Sequence, residues 1–312
     1  MNNRVPTVAQ LRAFAALAEK LHFRDAAAEL GMSQPALSGA VAALEETLGT
    51  RLVERTTRHV LLTRSGEAVA QRARAVLAGV EELAEAAQTT GRPFTGDLHL
   101  GVIPTVAPYL LPALLRPLKA RYPELELILH EEQTATILDG LSTGRLDLAV
   151  LATPVEGTGM TGLALYDEDF MLVYPGDDPG APRGQVALTA LRDLPVLVME
   201  EGHCLRDQTL EVCQEAGRDG LASTRAASLA TLVQLVAGGL GVTLLPSTAA
   251  AVEARPGSGL GATRFRDPAP GRSILLVHRS SSPRAAEFEQ LARTMREAVK
   301  AHRMPVRLPE AA

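Results

Sequence analysis

Residues 23–48 read FRDAAAELGMSQPALSGAVAALEETL, two helices divided by a glycine. Arg24 to Leu30 is alanine-rich and helical, and Gly31 supplies the turn that ends it. Ser33 is a good N-cap, and Pro35 is tolerated in the first turn that follows. Leu37, Val41, Leu44 and Leu48 recur on one face, and Gly49 stops the helix. Short helix, glycine turn and second helix form a helix-turn-helix, whose second helix enters the major groove N-terminus first. Gln34 and Ser38 lie four apart, opposite Leu37 and Val41. Glutamine bonds adenine bidentately, and serine reaches a base or a phosphate.

Upstream, Thr7 is placed to cap a helix carrying Leu11, Phe14, Ala15, Leu17, Ala18 and Leu21. Downstream, Arg51 to Leu62 gives two short strand-like runs around Arg55-Thr56-Thr57-Arg58, a wing. Arg51, Arg55, Arg58 and Arg64 face only Glu54 as an acid in that span, a local basic patch. Ser33, Gln34, Pro35, Ser38, Arg55, Thr56 and Arg58 are the candidate DNA contacts. The alternative is an ordinary three-helix packing unit with a solvated hairpin. From Ser65 to about Thr90 there is no proline. Val69, Ala73, Val76, Val80, Leu83 and Ala87 alternate steps of four and three, an a/d seam. Such a seam pairs with a second copy of the chain and presents two recognition helices to two half-sites. The alternative is a helix packed on its own domain.

The 312 residues suggest about two domains. A 46% apolar and 21% charged composition is that of a folded chain with ordinary cores. Net charge of −5 argues against a surface coated in nucleic acid but leaves room for a local DNA-binding face. With no Trp and 3% aromatics, a base-stacking platform for single strands is not expected. Two cysteines make no disulfide scaffold, so free thiols and a cytoplasmic location are expected. Leu229 to Val252, the most apolar stretch, is interrupted by Gln234, Gly238, Gly239, Gly241 and Pro246, so no membrane span is expected. MNNRVPTVAQ lacks the apolar region of a signal peptide.

Gly91 to Gly96, with Pro93, reads as a hinge. Beyond it strands alternate with helices: strand Leu98–Ile103, helix Val106–Arg121, strand Leu125–His130, helix Ala135–Thr143, strand Leu146–Ala152. A second series follows, with strands near 163–174, 196–199, 223–226 and 242–245. The chain then returns through strand Ser273–His278 and a helix from about Pro283 to His302. This predicts a mostly parallel sheet and two α/β lobes with a ligand-binding cleft between them. Gly238-Gly239-Leu240-Gly241 precedes a strand and lacks the third glycine of a dinucleotide loop. No zinc-protease, P-loop or nucleophile-elbow motif occurs, and the seven histidines are scattered. Neither metal nor cofactor is expected.

The cysteines carry the chemistry. Cys204 lies in Glu201-Gly202-His203-Cys204-Leu205-Arg206-Asp207, and Cys213 follows nine residues later. Leu205 to Gln214 reads as helix, with Cys204 at its N-terminus. The helix dipole and Arg206 both favour a thiolate there, the form that peroxide oxidises. Nine helical residues advance about 13.5 Å and end half a turn out of phase. A disulfide needs Cα atoms within about 7 Å, so bridging the pair requires the helix to unwind. Two inert buried cysteines are the alternative.

Phe23 to Leu48 with Ser33-Gln34-Pro35-Ala36-Leu37-Ser38, Gly144-Arg145-Leu146-Asp147-Leu148-Ala149, and Gly239-Leu240-Gly241-Val242-Thr243-Leu244-Leu245-Pro246 resemble LysR-type transcriptional regulators over nearly the whole chain. Gly202-His203-Cys204-Leu205-Arg206-Asp207-Gln208 with its second cysteine is similar to the peroxide-sensing members, as are Ile103-Pro104-Thr105-Val106 and His130-Glu131-Glu132-Gln133-Thr134. The resemblance implies a winged helix-turn-helix over 1–64, a linker and dimerisation helix over 65–91, and a redox-sensing regulatory domain over 92–312. That domain comprises two Rossmann-like lobes of the periplasmic-binding-protein kind, lobe I about 97–167 and 272–305, lobe II about 168–271. It implies a peroxidatic Cys204 and a resolving Cys213. Thr105, Thr134, His203, Arg206, Asp207 and Arg272 then surround the peroxide or the sulfenic acid. Hydroxyls and His203 orient a peroxide, and Arg206 or Arg272 stabilises the departing charge. Thr105 and Thr134 are equally placed to be helix caps. Implied partners are double-stranded DNA, further copies in a dimer or tetramer, RNA polymerase, hydrogen peroxide and a cellular thiol reductant. Two readings compete: a regulator responding to a small organic effector with incidental cysteines, and a thiol-dependent peroxidase. An enzyme has no use for a basic wing and a dimer seam, which favours the regulator.

Overall fold

The computed structural model describes residues 5–55, 60–88, 93–155, 159–182, 184–218 and 224–309, without the side chains of 55, 81, 82 and 84–88. The chain divides into two compact units, 1–91 grouped with 142–145, and the rest of 92–312.

In the first unit, α1 (Val8–Lys20), α2 (Phe23–Glu29) and α3 (Gln34–Leu48) precede a hairpin of β1 (Val53–Arg55) and β2 (Val60–Leu62), then α4 (Arg64–Gln88). Thr7 and Gln10 cap α1 reciprocally, and Ser33 Oγ accepts from Ala36 N at the start of α3. Phe14, Leu17, Leu37, Val41, Leu44 and Leu52 are fully buried in one core. Glu45 Oε1 accepts from the backbone N of Leu52 and Val53 at 2.7 and 3.2 Å, tying the hairpin to α3. The expected hinge at 91–96 lies partly outside the described residues.

The second unit begins with β3 (Gly96–Val102), α5 (Ala107–Arg121), β4 (Leu125–Glu131), α6 (Thr134–Ser142), β5 (Leu148–Leu151) and the sixteen-residue β6 (Met160–Pro175). A 3-10 turn (Leu188–Asp193), β7 (Val198–Met199), α7 (Cys204–Glu215), β8 (Arg225–Ala226), α8 (Leu229–Ala237), β9 (Thr243–Pro246), α9 (Ser247–Glu253) and β10 (Leu260–Arg264) follow. The last elements are β11 (Gly271–Arg279) and α10 (Ala285–Ala301).

The expected mostly parallel sheet is in fact mixed. β3 pairs in parallel with β4 and β5, but β11 runs antiparallel to β5 and β6, and β6 pairs antiparallel with β9 and β10. The return of the chain through β11 imposes this, because a strand entering beside its own lobe without a helical crossover runs antiparallel. β10 escapes the sequence pattern because Gly261 interrupts it. That glycine sits opposite Tyr174, whose ring a Cβ would approach to 2.4 Å.

β6 serves two cores. One joins residues of β3, α5, β4, α6, β5, the first part of β6, β11 and α10; the other runs from Phe170 on β6 through α7, α8, β9 and α9 to Phe265. The chain crosses from one to the other between Tyr166 and Phe170. Among the described residues no helix is long and apolar enough to cross a membrane.

Candidate functional site

Gly202 sets the start of α7. Its φ of +94° is open to glycine, and a Cβ there would come within 2.4 Å of Gln133 Oε1. His203 then caps the helix by position, without a side-chain hydrogen bond, and Cys204 is its first residue. Both cysteines are free thiols, Cys204 half-buried and Cys213 buried. They belong to different cores: Cys204 packs against the one containing β3 and β5, and Cys213 lies within the other. Burial pushes the Cys213 thiol above its ordinary range, with Arg218 opposing.

Cys204 shares a small, closely packed recess with Ile103, Pro104, Thr105, Gln133, Thr134, Gly202 and His203. Thr105 and Thr134 come just after the C-terminal ends of the adjacent parallel strands β3 and β4, where α/β sheets hold ligands. Neither hydroxyl is a helix cap. The N-cap of α5 is Val106, and the buried Thr134 Oγ1 has no hydrogen-bond partner among the described residues. A buried, unpaired hydroxyl is costly unless something else satisfies it. Gln133 Nε2 lies 3.4 Å from His203 Nε2, within hydrogen-bond reach.

Behind Thr105 stands a fully buried ion pair. Arg272 Nη1 donates to Thr105 Oγ1 at 3.0 Å and Nη2 to its carbonyl at 3.1 Å. Arg272 Nε and Nη2 both lie 2.9 Å from Glu168 Oε1. Glu168 Oε2 accepts from Thr248 Oγ1 at 2.6 Å and from its backbone N at 3.3 Å.

The structure thus gathers Cys204, Thr105, Thr134 and His203 around one recess, and puts Arg272 behind Thr105. Arg206 and Asp207 are not in its lining. Arg206 pairs with Asp207 at 3.2 Å and Glu201 at 3.3 Å, and Asp207 is exposed. Sequence reading missed Gln133, Glu168 and Thr248 as contributors. Glu168 sits in Asp167-Glu168-Asp169, which reads as a solvated acidic run, although strand alternation puts its middle residue on the buried face of Tyr166, Phe170 and Leu172. No group of three or more His, Cys, Asp or Glu among the described residues can hold a metal ion.

In the first unit, α3 turns Leu37, Val41 and Leu44 inward and leaves Gln34 and Pro35 exposed, with Ser38 half-buried. Arg51 and Arg64 are exposed or partly so. Thr56 and Arg58 lie outside the described residues, as does the side chain of Arg55. On α4, Ala73 is buried and Val69 packs on the core, whereas Val76 and Leu83 are 50% and 74% exposed. Val80 is half-buried, and Ala87 has no described side chain.

Residues 8–67 match the model of the bacterial regulatory helix-turn-helix proteins of the lysR family, and 91–300 match the LysR substrate binding domain. The chain is 59% identical over 306 residues to a probable hydrogen peroxide-inducible genes activator of Streptomyces viridosporus, covering 98% of this chain and 97% of that one. It is 42% identical to the DNA-binding transcriptional dual regulator OxyR of Escherichia coli, covering 95% and 96%. Among solved structures, a hydrogen peroxide-bound cysteine-to-serine mutant of Corynebacterium glutamicum OxyR aligns with a TM-score of 0.65 at 43% identity, covering 95% and 94%. With two family models spanning its two units and relatives matching it end to end, the chain belongs to the LysR family of transcriptional regulators, in its OxyR-like branch.

Proposed function

We propose that this chain is a cytoplasmic, DNA-binding transcriptional regulator that senses hydrogen peroxide by oxidation of Cys204. The observation that carries the reading is Cys204 at the first position of α7, in a recess furnished with two threonine hydroxyls and a histidine. The recess has no room for an organic ligand, whose pockets run to roughly 300–1,000 Å³. On this reading 1–64 bind DNA, 65–91 dimerise and 92–312 sense the oxidant, in a dimer or tetramer that engages RNA polymerase.

The Cys204 thiolate attacks one peroxide oxygen. The S–O bond forms as the O–O bond breaks, sulfur loses two electrons, and the other oxygen leaves as hydroxide. Thr105, Thr134 and His203 orient the peroxide and stabilise that leaving oxygen. Cys213 then attacks the sulfenic sulfur, forming S–S and releasing the sulfenic oxygen as water with one proton. Because both cysteines lie in one intact helix, this second step demands that α7 unwind. Two exchanges with a cellular dithiol return both thiols. Each oxidation is held in the protein itself until a reductant reverses it, so the chain acts as a switch, not as an enzyme.

A cleft of about 440 Å³, lined by Val155, Met160, Gln208, Glu211, Arg272 and Leu275 among others, favours a second reading in which a small organic effector is bound. One experiment separates the two. The reduced full-length protein receives one equivalent of hydrogen peroxide, and its thiols are mapped by mass spectrometry without reduction. A Cys204–Cys213 bridge is expected. Sulfenic acid on Cys204 with a free Cys213 keeps the sensor and removes the disulfide. Two untouched thiols overturn the peroxide reading in favour of the effector.

A further inference from the structure

We propose that Glu168 is a positioning residue for the Cys204 site, setting the direction of the Thr105 hydroxyl through Arg272. The inference rests on the reading of Cys204 as the atom that meets peroxide.

Glu168 and Arg272 are directly opposed in the β6–β11 ladder, so the backbone register fixes them as neighbours. Their side chains are 0% and 1% exposed. Taking two charges out of water is costly, and such a pair is weak evidence of stabilisation by itself. What it does supply is geometry. Every described polar atom of the pair points at a named partner: Glu168 Oε1 at Arg272, Glu168 Oε2 at Thr248, and the two terminal nitrogens of Arg272 at the hydroxyl and carbonyl of Thr105.

A hydroxyl has one proton to give and two lone pairs. Arg272 Nη1 has only protons, so Thr105 Oγ1 is the acceptor in that bond. The threonine's own proton is therefore free for another acceptor, and Thr105 is one of the residues that line the recess containing Cys204. A peroxide there meets a donor, not a free rotor. When Cys204 sulfur forms its bond to one oxygen and the O–O bond breaks, that donor is in place for the departing hydroxide. Without Glu168, Arg272 has no buried counter-charge to hold it against Thr105, and the hydroxyl is free to turn its lone pairs toward the oxidant.

Glu168 also lies where β6 passes from one core to the other, between Tyr166 and Phe170. Thr248, which holds its second oxygen, is on α9. A change in the relation of the two cores thus reaches the peroxide site through one carboxylate.

The test compares full-length reduced wild type with Glu168→Asp and Glu168→Gln. Asp keeps the charge and retracts it by one methylene; Gln keeps the length and removes the charge. Two rates are measured at Cys204 by mass spectrometry: oxidation by hydrogen peroxide, and alkylation by iodoacetamide, which has no use for a Thr105 donor. The expected result is oxidation slower by about ten-fold or more in both variants, with alkylation within about three-fold of wild type. If the Glu168→Gln variant fails to fold, Glu168→Asp decides alone. A folded Glu168→Asp variant oxidised within about two-fold of wild type overturns the proposal, as does an equal loss in both reactions, which marks a purely structural role. Wild type that peroxide does not oxidise refutes instead the function on which the proposal rests.

Discussion

Cys204 and Cys213 stand in one helix but in two different hydrophobic cores. Cys204 is half-buried at the helix start beside a polar recess, and Cys213 is 2% exposed among apolar side chains. Their reactivities should differ accordingly. In the reduced protein near neutral pH, iodoacetamide should label Cys204 at least about ten-fold faster than Cys213, because only the thiolate reacts and burial opposes it at Cys213. Cys213→Ser should leave Cys204 oxidisable and abolish the internal bridge. Equal labelling of both thiols would show that Cys213 is already accessible and that α7 need not open.

The same burial gives stability a pH dependence of definite sign. Cys213 has its thiol raised on folding, so the folded chain holds that proton more tightly than the unfolded one. Its contribution is full below the unfolded thiol value of about 8.5, and is lost as pH rises through the folded value. Tyr109 and Tyr166 are raised as well, by burial first and then by Glu253 and Glu168 respectively, and act alike above about 10. The urea midpoint of the reduced protein should fall between about pH 8.5 and 10, less steeply in Cys213→Ala. A midpoint that climbs over that range contradicts the assignment.

Gly202→Ala tests the turn that delivers Cys204. Alanine is strained at φ +94°, at a cost of about 1–3 kcal/mol, and its Cβ must displace the Gln133 amide. Gln133 is a flexible side chain, so the fold should survive while the recess changes shape. The expected readout is a lowered melting midpoint together with slower oxidation of Cys204 by peroxide. Wild-type values of both would remove Gly202 and Gln133 from the site.

On the DNA side, Gln34 is exposed on α3 while Leu37, Val41 and Leu44 hold the helix in its core. Gln34→Ala should therefore weaken binding to a DNA fragment selected by the wild-type protein without lowering its melting midpoint. Loss of a bidentate base contact costs about 1–3 kcal/mol, or roughly ten- to hundred-fold in affinity. Fluorescence anisotropy at one fixed salt concentration measures it, and unchanged affinity would displace Gln34 from the docking face.

How far the sequence speaks depends on whether a signal is local. The helix-turn-helix is legible because Gly31, Ser33 and the Leu37-Val41-Leu44 face fall within one short stretch. The helix that begins at Cys204 is legible for the same reason, down to the cysteine at its N-terminus. Glu168 is legible only by its alternation with Tyr166 and Phe170 on β6; the partners that satisfy its buried charge, Arg272 and Thr248, are 104 and 80 residues away. The mixed sheet is likewise a product of where the chain returns, which β11's own residues do not encode. Arg206 shows the converse: its proximity to Cys204 in sequence suggests a role in the recess, yet its side chain turns to Glu201 and Asp207.

The a/d seam of α4 is a case where packing divides a pattern that looks uniform. Val69 packs on, and Ala73 joins, the core of their own unit, so those positions are already occupied. Val76 and Leu83 are two turns apart on the same seam, yet remain half and three-quarters exposed. An apolar pair so placed stabilises association only if a second copy covers it. Replacing both with Glu should leave the monomer folded, because neither side chain contributes to its core. Facing copies would then bring like charges together at the seam, and sedimentation equilibrium should show a lower mass than wild type at the same concentration. DNA affinity should fall with it, since two half-sites can no longer be held by one assembly. A double variant of unchanged mass would place the dimer contact elsewhere and return α4 to the role of a helix packed on its own domain.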